Sequence, residues 1–169
     1  MDDFRVVMDF LEQYGMWFLF VIVFLEYMNL PGLPSGIIMP AAGLMISQTD
    51  QSFLWALLVS IAAGMAGSIV LYTVGYFIGA PVLDFIYRKI PATQKSIDKV
   101  KGYMDKYGNR GIFITRLVPV ARTIVALVVG IAKMKLLPFC LYSVGGIAIW
   151  NFVYIIAGYF FGNLIFGLI

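Results

Sequence analysis

Residues 116–130 read RLVPVARTIVALVVG. Two guanidinium groups, on Arg116 and Arg122, stand in a stretch otherwise apolar enough to enter a bilayer, with Pro119 midway between them. An arginine near the bilayer centre costs from about 2.5 to more than about 10 kcal/mol, so a charge in such a place marks a functional site by default. On an unbroken helix, residues six apart point about 120° away from one another. Pro119 changes this: it lacks an amide donor, clashes with the preceding turn and disfavours helical geometry at Val118. The backbone is therefore predicted to open between the arginines, so that both forks can converge on one anion. The competing reading is that either arginine snorkels to a lipid phosphate at a helix end.

Composition places that stretch in a membrane. Of 169 residues, 62% are apolar and 12% charged, and the mean hydropathy is +0.92. Charges are absent from Gln51 to Leu83 and from Leu136 to Ile169, and each window exceeds the roughly 20 residues that cross the hydrocarbon core. The first fifteen residues carry four acids and one base, the wrong charge for the leading part of a signal peptide, so the N-terminus is expected to be retained. One cysteine, Cys140, leaves no intrachain disulfide, and the absence of histidine removes histidine-based metal sites and triads. No cofactor is expected. Between Asp84 and Arg110 lie seven bases and three acids, which the positive-inside rule assigns to the cytoplasm. Without interleaved aromatics this run does not read as a nucleic-acid site; it reads as a solvated, partly helical connector attracted to anionic headgroups.

Along the chain, Phe4, Val7, Met8 and Leu11 recur at helical spacing, which predicts a short amphipathic helix on the membrane surface. Glu26 follows only thirteen uncharged residues, too few for a full span, and then Pro31, Gly32, Pro34, Gly36 and Pro40 crowd together. An apolar segment broken in this way reads as a re-entrant hairpin or broken helix, tolerated at membrane depth where it is buried in protein or lines a cavity. Gly111–Met134 reads likewise around Pro119. Ser52–Gly79 and Leu137–Gly162 are each long enough for one tilted transmembrane helix, and their glycines at spacings of four suit close helix approach.

The motif GYFIG at Gly75–Gly79 returns as GYFFG at Gly158–Gly162. Ahead of each stand an apolar approach, a proline-broken segment carrying an ionisable group, a short gap and a long span. Paired broken segments in two halves point to a secondary transporter whose site lies where the repeats meet. The expected fold is an all-α integral membrane protein of two inverted repeats, each a proline-broken re-entrant hairpin plus a long transmembrane helix, joined by a cytoplasmic amphipathic connector. Residues 1–83 would form the first repeat with its surface helix, 84–110 the connector and 111–169 the second repeat, all in one membrane domain.

Taken in order, FLEYMNLPGLPSGIIMPAAG, GMAGSIVLYTVGYFIG and FITRLVPVARTIVALVVGIAKM, followed by Trp150 and GYFFG, resemble the DedA membrane proteins, also called the SNARE-associated or VTT-domain family. The resemblance covers nearly the whole chain. It implies inverted halves with re-entrant hairpins and movement of a phosphate-bearing lipid between leaflets, either undecaprenyl phosphate or a phospholipid such as phosphatidylethanolamine, with protons as a coupling ion. It also implies a bacterial plasma-membrane location. Glu26 matches the family's membrane-embedded glutamate, and Arg116 and Arg122 its paired arginines. Three positions depart: Ser35 and Gly36 stand where many members have a second acid, Ser68 where an aspartate is common, and Ala80 where an arginine is usual.

The candidate substrate-binding set is therefore Glu26, Arg116 and Arg122, with Pro31, Pro34 and Pro119 at the breaks and Ser68 and Asn151 at aligned polar positions. Glu26 has two readings. Burial raises a carboxyl pKa and a nearby guanidinium lowers it, so the group can alternate between protonated and arginine-paired states, or it can be a permanent counter-ion. Arginine suits the other role because its planar fork binds two phosphate oxygens at once. For Asn151 the competing role is a hydrogen bond within the helix bundle, and Lys133 and Lys135 read as markers of the membrane interface. A lipid flippase is the expected function. The alternatives are an energy-independent scramblase and a membrane enzyme acting on a lipid phosphate, which here lacks the usual nucleophiles and metal ligands.

Overall fold

The structure is a computed structural model that describes residues 2–28, 35–48, 51–79, 81, 91–118 and 121–166, without the side chains of residues 2–12, 35, 48, 91–94, 96, 123 and 162–166. Seven helices and no strand occur among the described residues: α1 (Asp2–Tyr27), α2 (Ser35–Gln48), α3 (Phe53–Ile78), α4 (Pro91–Tyr107), α5 (Arg110–Arg116), α6 (Ala121–Ile131) and α7 (Leu136–Phe166). Pro31, Pro34 and Pro119 lie outside the described residues, as do residues 82–90 of the connector.

Length separates the helices into two kinds. At a rise of 1.5 Å per residue, α3 and α7 extend about 39 and 46 Å, beyond the hydrocarbon thickness of about 30 Å. Both are apolar enough to span it, and only 33% of the span window in each is buried. Their exposed faces carry Leu54, Leu58 and Phe77 on α3 and Leu137, Leu141 and Phe160 on α7. A helix that is apolar all round but largely uncovered by protein belongs against lipid. The other apolar helices are short: α2, α5 and α6 extend about 21, 10 and 16 Å.

Glycine sets the break in α1. Gly15 has φ 56° and ψ −135°, so two helical pieces meet there at a kink, in a region that side chains on Cβ disfavour. The expected surface helix and the apolar approach to Glu26 are thus separate pieces on either side of Gly15. Pro40 was expected to belong to the broken segment, but it lies inside α2. Its missing amide would have bonded the Gly36 carbonyl, so the bond it removes falls in the first turn and the rest of α2 keeps its ladder.

The chain forms two compact units, residues 1–64 with 148–169 and residues 65–147, whose boundaries fall inside α3 and α7. In the first, α1 and α2 pack on one another around Leu19, Ile22, Val23, Ile38, Met39 and Met45. A Cβ on Gly43 of α2 would strike the Ile155 carbonyl of α7, and one on Gly158 would strike Pro40, so backbones touch there directly. In the second unit, α4, α5 and α6 pack on one another about Ile97, Val100, Ile112, Val125, Val129 and Phe139. There Gly130 of α6 meets the Tyr72 carbonyl of α3, and Gly75 meets the Leu127 carbonyl. The glycines at spacings of four do not share one role. Gly75 allows close approach, whereas Gly79, with φ 55° and no atom within 4 Å of its Cβ position, ends α3 with its amide on the Gly75 carbonyl at 3.0 Å.

The connector differs from a wholly solvated strip. Within it α4 buries Ile97 and Val100 completely, because apolar residues three apart form one helical face.

Candidate functional site

The arginine stretch folds as two short helices. Near the end of α5 the ladder tightens: Leu117 N–H bonds the Ile114 carbonyl at 3.1 Å and Val118 N–H the Thr115 carbonyl at 3.2 Å. Such three-residue closures end a helix, as the residues before a proline require. The helical pattern resumes when Arg122 N–H bonds the Val118 carbonyl at 2.9 Å. Arg116 therefore closes α5, and Arg122 sits in the first turn of α6, where backbone N–H groups add positive potential.

Both arginines are buried, at 2% and 5% exposure. The Arg116 fork spans two elements: Nη1 donates to the Arg122 carbonyl at 3.4 Å and Nη2 to Ser143 Oγ on α7 at 3.2 Å. Its guanidinium carbon lies 5.7 Å from the centroid of the Phe139 ring, which stacks on Tyr72 at 5.0 Å. Gly146 lets the stem pass, since a Cβ there would meet Arg116 Cβ and Cγ. Tyr72 in turn donates its hydroxyl to the Met134 carbonyl at 2.5 Å. That carbonyl follows the end of α6, where Met134 N–H reaches the Val129 carbonyl and Lys133 N–H the Gly130 carbonyl, with Lys133 at φ 51°. This is a Schellman ending with lysine at the position glycine normally takes.

The remaining candidates divide between the units. Ser68 is fully buried in the same unit as the arginines, and its Oγ has no hydrogen-bond partner among the described residues. Glu26, 6% exposed near the end of α1, lies in the other unit. Beside it, Tyr27 donates its hydroxyl to Asn151 Oδ1 at 2.9 Å, and Asn151 Nδ2 donates to Ser60 Oγ at 3.1 Å. Ser60 closes the chain on the Leu57 carbonyl at 2.8 Å. Asn151 thus makes the bundle hydrogen bond that was its competing role. It fixes Tyr27, and with it the last turn of α1 that carries Glu26.

The structure therefore brings Arg116 and Arg122 together, holds Ser68 within their unit, and sets Glu26 and Asn151 in the other. All five are buried, and Glu26, Arg116 and Arg122 are the only buried acid and bases among the described residues. Sequence reasoning missed Ser143, Phe139, Tyr27 and Ser60. The only available signal was small-residue spacing in α7, Ser143 with Gly146, which is common in membrane helices. Among the described residues no three acids, cysteines or histidines gather as they would around a metal ion.

The pattern of one protein family, described as the VTT domain, matches residues 30–160. The chain belongs to the VTT-domain, or DedA, family. Two relatives with informative names cover most of it. Undecaprenyl phosphate transporter A of Staphylococcus aureus is 31% identical over 158 residues, which are 91% of this chain and 77% of the relative. Protein DedA of Escherichia coli K12 is 29% identical over 163 residues, covering 92% and 74%. A third, named alkaline phosphatase-like protein, from Lactococcus lactis, is 23% identical over 164 residues, covering 94% and 76%. No solved structure matches the chain. Family membership, apolar spans and lipid-facing surfaces together make this VTT-domain chain a membrane protein.

Proposed function

We propose that this protein moves a phosphate-bearing lipid across the bacterial plasma membrane, with Arg116 and Arg122 holding the phosphate and Glu26 serving as the titratable acid of the transport cycle. The observation that carries this reading is the burial of two permanent cations in one unit, joined across the proline break by the bond from Arg116 Nη1 to the Arg122 carbonyl. A phosphate held by two arginines receives charge-assisted hydrogen bonds from each of their forks. The first turn of α6 adds backbone donors on the same side of the break. Relatives named for undecaprenyl phosphate transport support this substrate class; phosphatidylethanolamine offers the same phosphate chemistry.

Proton coupling fits Glu26, whose carboxyl is the buried acid of the other unit. Protonation as the phosphate arrives and deprotonation as it leaves would link lipid movement to a proton gradient. Ser68 offers a buried hydroxyl to the same headgroup. The inverted arrangement is supported by the glycine packing: the helix after the first proline segment meets GYFFG of the second half, and the helix after the second meets GYFIG of the first. Short apolar helices on either side of each break support re-entrant hairpins.

The test is lipid movement in proteoliposomes. Tail-labelled undecaprenyl phosphate and phosphatidylethanolamine would be scored for accessibility at the outer leaflet, with and without a pH gradient, while free phosphate is measured. Gradient-dependent movement without phosphate release is expected. Gradient-independent movement would make the protein a scramblase, and phosphate release an enzyme.

A further inference from the structure

We propose a second phosphate site, on the outward face of α4, which binds the headgroup of an anionic membrane phospholipid and is separate from the buried arginines. Helix α4 turns Ile97 and Val100 inward. Lys99, Gly102, Tyr103, Lys106 and Tyr107 recur at three, four, seven and eight residues from the first, so they form one stripe. Together they line an open cavity of about 270 Å³. Its floor is Gly102, which is exposed and whose Cβ position has no atom within 4 Å. Along one wall the rings of Tyr103 and Tyr107 stack, 6.2 Å apart and inclined by 24°. Lys106 Nζ lies 5.2 Å from the Tyr107 ring centroid, which keeps its charge beside the tyrosine pair. Lys99 and Lys106 are two turns apart, about 10.5 Å along the axis, and flexible ammonium arms from both ends can reach a phosphate above the glycine.

Charge and position select the occupant. From Lys95 to Arg110 the exposed side chains include five bases against Asp98 and Asp105. The helix is tied to the membrane segment that follows, because α5 begins three residues after Tyr107 and buries Ile112, Thr115 and Arg116. A basic helix held at that level meets headgroup phosphates at high local concentration. Paired tyrosines favour the same depth, with an apolar body and a polar tip. The glycine is the least helix-favouring residue there after proline, and in exchange it leaves space that a phosphate can enter.

The site is tested on the full chain in neutral detergent, titrated with phosphatidylglycerol or phosphatidylcholine, with bound lipids counted by native mass spectrometry. Wild-type protein is expected to retain one phosphatidylglycerol in preference to phosphatidylcholine. Each base within reach of the phosphate contributes about fivefold, so Lys99→Gln with Lys106→Gln should weaken that binding about 25-fold, while Lys101→Gln, on the other side of the helix, leaves it within about twofold. Gly102→Glu, which places a carboxylate on the cavity floor, should produce the same loss by a different route. The difference between lysine pair and wild type should persist in an Arg122→Ala background, which separates this site from the transport reading. Equal retention by the lysine variant, no preference for phosphatidylglycerol, or displacement by millimolar glycerol phosphate as readily as by lipid would each overturn the proposal.

Discussion

Replacing Arg116 by lysine keeps the charge and removes the fork. In the structure the Arg116 fork donates to the Arg122 carbonyl at 3.4 Å and to Ser143 Oγ at 3.2 Å, and its guanidinium carbon lies 5.7 Å from the Phe139 ring centroid. An ammonium at that depth can satisfy one acceptor, so one charged hydrogen bond is lost, about 1.5 kcal/mol at the low end that a 3.4 Å contact warrants. Loss of the guanidinium–ring contact adds about 1 kcal/mol. The sum, about 2–3 kcal/mol, is below the stability of an ordinary domain, about 5–15 kcal/mol, so Arg116→Lys should fold. Its unfolding temperature in detergent should fall by about 5–10 °C. Where the fork shapes the phosphate site, the same energy corresponds to lipid movement slower by about 30- to 150-fold. Ser143→Ala removes only the acceptor, and combined with Arg116→Lys its effect should be less than additive, because the two act on one bond. Wild-type transport and unfolding temperature in Arg116→Lys would refute the reasoning, since neither the bridge nor the ring contact would then carry energy.

Arg122→Lys should leave the protein folded and slow lipid movement at least about tenfold, through loss of bidentate phosphate binding; unchanged transport would move the anion site elsewhere. Glu26→Gln should retain lipid binding and flatten the response of transport to a pH gradient, read in proteoliposomes at several internal pH values. Gly130→Ala and Gly43→Ala force backbones apart and should each cost about 1–3 kcal/mol. Gly102→Ala, in open space on a helix, should gain about 0.5–1 kcal/mol, so equal unfolding temperatures for these three variants would contradict the packing. A cysteine at Lys99 should resist an impermeant reagent added outside intact cells, and labelling there would reverse the assigned sidedness.

The parts of the fold that were legible in the sequence are those set by solvent. Two charge-free windows marked α3 and α7 because a span must exclude charges over its whole length, and that requirement repeats at every residue. The end of α5 was legible because a proline restricts the residue before it, here Val118. Tertiary choices were harder to read. Pro40 carries the same signal as Pro31 and Pro34, yet it is housed inside α2, because the bond it removes is one to the first turn of that helix. Gly75 and Gly79 look equivalent in GYFIG, but one touches the Leu127 carbonyl and the other ends the helix. The inward face of α4 is written in Ile97, Val100 and Met104, amid a run whose charges dominate any composition measure.

The same asymmetry governs the site. Glu26, Arg116 and Arg122 stood out because an ionised group in an apolar run costs more than any neutral residue could, and all three proved buried. The groups that seat them carry no such cost and gave no such signal. Ser143 is one of several serines in apolar helices, Phe139 one of many aromatics, and Gly146 one of many glycines. Yet one binds the guanidinium, one stacks beneath it, and one gives its stem room to pass. Asn151 shows the converse. A polar residue in a span suggests a substrate contact, but both arms of its amide are engaged by Tyr27 and Ser60. A neutral amide can be satisfied by the bundle alone, whereas a guanidinium anchored by a carbonyl, a hydroxyl and a ring keeps its full positive charge. A carbonyl, a hydroxyl and a ring orient the guanidinium plane, and a fixed plane is what two-pronged contact with an anion requires.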